Sequence, residues 1–297
     1  GEVRIPLAVS HYGEPLAGCA LSWRLSGAGA VQSGTLSAPA LPQGRLTRLG
    51  DATLRLPHGA PPGKLELSVT LRQGRRRINS NRWSFWMLPE ARAEVRALLA
   101  PERAGTTLPG GIFLRVGQAR TDAIPEGTRL IVGDFADAAL AEAVERGSRC
   151  LLLARDVAVE NAHLYYQGMP NFHRSFRTIP WNAGPGNLGT VIEPHPALAG
   201  FPHDGMCDLQ FLWLVRDIRP MEFTPLKRHG VAPIIRGIDW YMTHRDNAYL
   251  LEFAVGRGQV LATTLNVLAR LPERLEARAL LEVLLQYALG PDFAPRA

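Results

Sequence analysis

Three groups of side chains in this sequence are of types that do chemistry. Cys207 stands in Gly205-Met206-Cys207-Asp208-Leu209, near the pattern of a nucleophile elbow, where a small residue flanks the nucleophile on each side of a strand-to-helix turn. The second small residue is missing and no strand pattern precedes the cysteine, so acyl transfer is not expected of it. His195 and His203 are eight apart with Asp204 adjacent, a set able to move protons or hold a metal. Prolines on both sides of His195 impose an extended or turning backbone, and loop histidines bonded to neighbouring main chain are the simpler expectation. The third group is aromatic. Tyr165, Tyr166, Phe172, Phe176 and Trp181, with Trp240 further on, are candidates for a ligand or an interface. The first five lie among Pro and Gly with no helical or strand period. Burying a ring stabilises by roughly 1.5 to 3 kcal/mol. These rings are therefore expected to cover the sheet, pack against the sandwich, meet another chain, or stack on sugar faces.

Other chemistries lack their motifs. There is no G-x-G-x-x-G after the strand run at 130–133, no P-loop, no H-E-x-x-H and no pair of C-x-x-C. No metal or cofactor is expected. Gly256-Arg257-Gly258 is followed by a strand rather than a helix and reads as a tight turn. Cys19, Cys150 and Cys207 are too few and too far apart for a disulfide framework. Cys150 sits in an apolar run and is expected to be a small buried hydrophobe.

Composition narrows the classes further. Of 297 residues, 46% are apolar and 20% charged, which suits a sizeable core and excludes disorder, collagen and coiled coil. The apolar runs, such as 151–154, fall far short of the roughly 18 residues of a spanning helix, so no membrane partner is expected. The net charge of +6 is almost all arginine excess, Lys64 and Lys227 being the only lysines. Arg75, Arg76 and Arg77 form a dense basic cluster between two strand patterns and read as a hairpin tip in water. No nucleic-acid motif or aromatic ladder accompanies them, and no nucleic-acid partner is expected.

The elements that must position these groups fall into two halves. In residues 1–89 apolar side chains alternate, as in Val3, Ile5, Leu7 and Val9, or Leu65, Leu67, Val69 and Leu71. Turn clusters such as Pro61-Pro62-Gly63 separate these runs. Period two with one apolar face predicts half-buried strands and an immunoglobulin-like β-sandwich. From residue 90 to 297 the rhythm is that of an open α/β domain with a mainly parallel sheet. Residues 90–100 favour a helix. Leu130 to Val132, Asp137 to Arg146 and Cys150 to Leu153 read as strand, helix and strand, a βαβ unit. Further strands are expected at 231–235, 249–253 and 259–263, and a helix over Pro272 to Leu289. An aromatic-rich insertion at about 156–228 breaks this rhythm and is expected to be irregular.

Several strings resemble one family in order along the chain. Asn81-Arg82-Trp83-Ser84-Phe85-Trp86-Met87-Leu88-Pro89 is similar to the closing strand of a sandwich domain in multidomain glycosidases of glycoside hydrolase family 2. Ser10-His11-Tyr12-Gly13 and Leu21-Ser22-Trp23-Arg24-Leu25 resemble the same domain's first strands. Glu193-Pro194-His195-Pro196-Ala197-Leu198-Ala199-Gly200-Phe201-Pro202 and Asp208-Leu209-Gln210-Phe211-Leu212-Trp213 are similar to segments of the α/β region beyond the catalytic barrel. The resemblance implies a flavodoxin- or amidotransferase-like fold for that region. It also implies that catalysis belongs to a (β/α)₈ barrel with an Asn-Glu acid/base, a dipeptide this chain does not contain. No catalytic residue carries over. The expectation is an accessory, non-catalytic region whose partners are the barrel of a parent protein or another subunit, with oligosaccharide and a homo-oligomer as further possibilities. A free-standing sugar-binding protein and a small amidotransferase-like hydrolase using His195, His203 and Asp204 or Cys207 are the alternatives.

Overall fold

A computed structural model describes residues 1–56, 59–90, 95, 104–117, 119, 122–154, 189–215, 218, 220–239 and 244–295. The chain divides into two compact units, Gly1–Pro89 and Glu90–Ala297.

The first unit is built of six antiparallel strands: β1 (Glu2–His11), β2 (Leu16–Gly27), β3 (Ala30–Leu41), β4 (Arg45–Arg55), β5 (Gly63–Gln73) and β6 (Arg76–Met87). β1 pairs with β4, and the other four form a sheet in the order β3-β2-β5-β6. The alternation of the sequence decides which side chains go inside. Leu21, Trp23 and Leu25 of β2 and Leu65, Leu67, Val69 and Leu71 of β5 join Leu7, Ala52 and Leu54 from β1 and β4 in one buried cluster. Trp23 fits because Gly34 lies opposite it on β3; a Cβ at Gly34 would come within 2.7 Å of the indole. The alternation does not carry through to the edge. Trp83, on the same face of β6 as half-buried Phe85 and Met87, is 41% exposed and borders an open groove beside β1.

The second unit has one nine-stranded sheet. It contains β7 (Thr107–Leu108), β8 (Ile112–Arg115), β9 (Leu130–Gly133), β10 (Arg149–Leu153), β11 (Gly189–Ile192), β12 (Met221–Glu222), β13 (Pro233–Ile238), β14 (Asn247–Val255) and β15 (Gly258–Thr263). The order is β11-β13-β14-β15-β10-β9-β8-β7, with β12 also on β14. The sheet is mixed rather than mainly parallel. β8, β9, β10 and β15 run parallel, and every other pairing is antiparallel. The reason is local: Gly256-Arg257 joins β14 to β15 in a two-residue turn, and so short a connection forces antiparallel strands. The insertion expected to be irregular also contributes β11 and β12 to the sheet. The helix expected over 90–100 lies almost wholly outside the described residues.

Helices cover both faces of the parallel strands. α1 (Ala138–Glu145) sets Leu140, Ala143 and Val144 against Ile131, Cys150, Val260 and Ala262. Short α2 (Leu212–Val215), α3 (Thr224–Lys227) and α4 (Val267–Arg270) lead to α5 (Leu275–Leu289). Alternate residues of a strand point to opposite faces. Arg149, one residue from Cys150, accordingly reaches α5, where its Nη1 donates to the Ala288 and Gly290 carbonyls at 3.0 and 2.8 Å. Gly290 ends α5 in extended backbone, with φ −75°, rather than in a left-handed cap. Arg149 takes over part of the capping.

One ion pair, buried on its arginine side, fixes the start of α1. Arg115 closes β8 with a side chain only 2% exposed, and it donates to both oxygens of Asp137 at 2.9 and 2.6 Å. Asp137 is also the N-cap, its Oδ1 accepting from the Leu140 amide. The Arg115 hydrogen bonds hold the Asp137 carboxyl below the usual carboxylate range, against its partial burial. A lowered folded value means a contribution complete above the unfolded pKa near 3.8 and lost as pH falls through the folded one. Asp137→Ala removes the partner of Arg115 and the cap, so urea denaturation at neutral pH should show a loss of about 2 to 3 kcal/mol. The same melt followed downward from about pH 5 should lose less stability in Asp137→Asn than in the native chain.

Candidate functional site

The described residues of the second unit bring one predicted histidine to a carboxylate. His195 precedes the 3-10 turn Pro196–Leu198 and caps it, its Nδ1 accepting from the Ala197 amide at 3.2 Å. An accepting Nδ1 puts the ring proton on Nε2. Nε2 lies 3.5 Å from Glu252 Oε1, in a pair whose side chains are 24% and 14% exposed. The second oxygen of Glu252 accepts from Tyr287 Oη at 2.7 Å. The Tyr287 ring meets His195 edge-on at 5.5 Å and Phe293 at 5.3 Å. Burial, followed by the hydrogen bond and charge of Glu252, raises the Tyr287 phenol well above its ordinary value. Tyr287 is thereby held as a donor.

This trio fastens three elements: the turn at Pro196–Leu198, the middle of β14 and the end of α5. As chemistry, a histidine against a mostly buried carboxylate is a general acid/base pair. Neither Glu252 nor Tyr287 was singled out from the sequence. The available signal for Glu252 was an acid inside the apolar strand Tyr249 to Val255, whereas Tyr287 reads as one more member of an apolar helix stripe.

The other predicted residues do not join the trio's bonds. His203 Nδ1 accepts from the Gly205 amide at 3.1 Å; burial lowers its pKa and the neighbouring Asp204 charge opposes that. Cys207 is buried, its amide donates to Thr190 Oγ1 at 2.8 Å, and burial pushes its thiol up to about 12. A thiol so held supplies no thiolate near neutrality. Cys150 is in the same condition, also at about 12. Tyr165, Tyr166, Phe172, Phe176, Trp181 and Trp240 lie outside the described residues. A cavity of about 610 Å³ near the amino ends of β9 and β10 includes Arg129 and Arg149 in its lining, with Arg149 already engaged in capping α5.

The first unit holds a second surface that the sequence analysis did not single out. A groove of about 150 Å³ runs between β1 and β6. Buried Leu7, Leu21 and Val69 line it beside exposed Ser10, Asn79, Asn81 and Trp83. The Oδ1 atoms of Asn79 and Asn81 accept from the amides of Ser80 and Arg82 at 2.8 Å each. Both Nδ2 groups remain without a bond to a described residue. The alternation Asn79, Asn81, Trp83 on one face of an edge strand was the missed signal.

Fold and sites together define a protein of two units, an antiparallel β unit followed by a mixed α/β unit, with His195 and His203 engaged in local structure. Residues 131–297 match the family described as Domain of unknown function (DUF8487), and the chain belongs to that family. Residues 2–89 match a second such family, DUF8488. No curated protein matches the chain.

Thiol alkylation checks the burial of the cysteines. At about pH 8, Cys150 and Cys207 should stay unlabelled by iodoacetamide in the native chain and react fully in denaturant. Peptide mass spectrometry reads both states, and native labelling of Cys207 would contradict its placement.

Proposed function

We propose that this chain is a non-catalytic accessory region of a carbohydrate-active glycoside hydrolase, supporting a catalytic barrel and contacting sugar away from the reacting centre. One observation carries the reading. The groups that could do chemistry are bound into the fold, while a tryptophan with two amide side chains stays open in a groove. An exposed indole stacks on the C–H face of a pyranose, and neighbouring amide N–H groups donate to its hydroxyls.

Strand order supports the finer fold assignment within this proposal. β1 to β6 correspond to strands B, C, C′, E, F and G of an immunoglobulin-like sandwich, with B-E facing C′-C-F-G. The place beside β1 is not filled by a described strand. In the second unit, a parallel core covered by helices on both faces supports an amidotransferase-like relation. The buried Cys207 departs from the exposed nucleophile of such enzymes.

A small hydrolase is the second reading, favoured by the His195–Glu252 pair alone. Two measurements separate them. Titration of the full chain with oligosaccharides should change its tryptophan fluorescence, and Trp83→Ala should weaken the response about tenfold. Assays with aryl glycosides should show no turnover above background. Turnover abolished by Glu252→Gln would replace the accessory reading with the hydrolase, and an undiminished response in Trp83→Ala would remove the groove from the proposal.

A further inference from the structure

The positive charge of the chain is unevenly placed. Residues 1–89 carry 11 basic residues against Glu2, Glu14, Asp51 and Glu66, whereas residues 90–297 carry 22 basic against 23 acidic ones. Strand register sets four of the eleven, Arg24, Arg72, Arg77 and Arg82, on the outward face of the sheet β3-β2-β5-β6. Arg72 and Arg77 lie directly opposite one another, Thr70 and Ser80 form the next outward row, and Arg24 and Arg82 flank Ser68 in the third. Ser22 and Thr35 continue the middle row across β2 and β3. Outward rows are two residues apart, which sets the arginine rows about 13 to 14 Å from each other with hydroxyls between them.

The four arginines are exposed and poorly neutralised. Arg24 and Arg77 make no ion pair with a described residue, and Arg82 has Glu66 only at 3.9 Å. Like charges facing each other across a ladder, as Arg72 and Arg77 do, cost stability. An anion on this face would offset that cost.

We propose that the outward face of this sheet binds a linear acidic polysaccharide. Its carboxylates meet the two arginine rows, and its hydroxyls exchange hydrogen bonds with the Ser and Thr row between. The spacing selects this partner over nucleic acid. Duplex DNA presents a charge every ~1.7 Å along its axis, whereas the arginine rows here are far apart and separated by hydroxyls; the same face also carries Glu66 and, opposite Lys64, Trp86, an acid that opposes a phosphate ladder and one ring rather than the succession of rings that holds a single strand. The assignment stands on register and charge, so it holds or fails independently of the accessory role and of the Trp83 groove on the opposite face of β6.

The test uses the full chain and polygalacturonate as probe, with neutral dextran and a duplex oligonucleotide as comparisons. Polygalacturonate should bind, dextran should not, and raising salt from about 50 to 200 mM should weaken binding roughly tenfold. A variant combining Arg24→Ser, Arg72→Ser, Arg77→Ser and Arg82→Ser should lose at least about tenfold in affinity while keeping its circular dichroism spectrum. If that variant unfolds, Arg24→Ser alone, an exposed site without an ion pair, should still cost about threefold. The proposal is overturned if polygalacturonate fails to bind at low salt, if the folded variant binds as before, or if the duplex competes at lower concentration than the polysaccharide.

Discussion

Parallel strands that are buried on both faces leave a chain little freedom elsewhere. β9, β10 and β15 place successive side chains alternately under α1 and under α5, so both helices must lie flat on the sheet with their ends held. The holding falls to arginines and carboxylates at strand ends. Arg115 at the end of β8 fixes the start of α1 through Asp137. Arg149 at the start of β10 fixes the end of α5 through two carbonyls. The tight turn at Gly256 presses the same constraint from the hairpin side: a Cβ at Gly258 would come within 2.0 Å of the Val144 carbonyl oxygen.

The same demand explains why the polar groups of this unit are spent on structure. Glu252 lies on the α5 face of β14, where an unpartnered carboxylate would be costly. Tyr287 donates to one of its oxygens and His195 Nε2 lies 3.5 Å from the other, and together they join the end of α5 to the turn that follows β11. A histidine committed through Nδ1 to an amide and through Nε2 to a carboxylate is a fastener first. The first unit shows the contrary economy. Its core comes from alternating apolar residues alone, and its polar side chains, arginines above all, are left to face water.

Much of this was legible in one dimension. Period-two alternation marks β2 and β5, the run from Leu130 to Leu153 marks strand, helix and strand, and Cys150 reads as buried from its apolar neighbours. The antiparallel half of the second sheet was also legible in principle, since Gly256-Arg257 is too short a link for parallel strands, yet the βαβ rhythm suggested a mainly parallel sheet. Trp83 illustrates the limit of the pattern. Alternation tells which face a residue takes, but not whether another layer covers that face.

The sequence by itself determined the local elements, because strand and helix periods, caps and turn glycines act over a few residues. Only the tertiary structure decided the sites. Glu252 and Tyr287 are 35 residues apart along the chain, and His195 lies further still from Glu252; they meet because β14 and α5 are neighbours across the sheet. Likewise Arg24, Arg72, Arg77 and Arg82 become one charged face through pairing register, which depends on three strands at once and leaves no trace in the spacing of the residues.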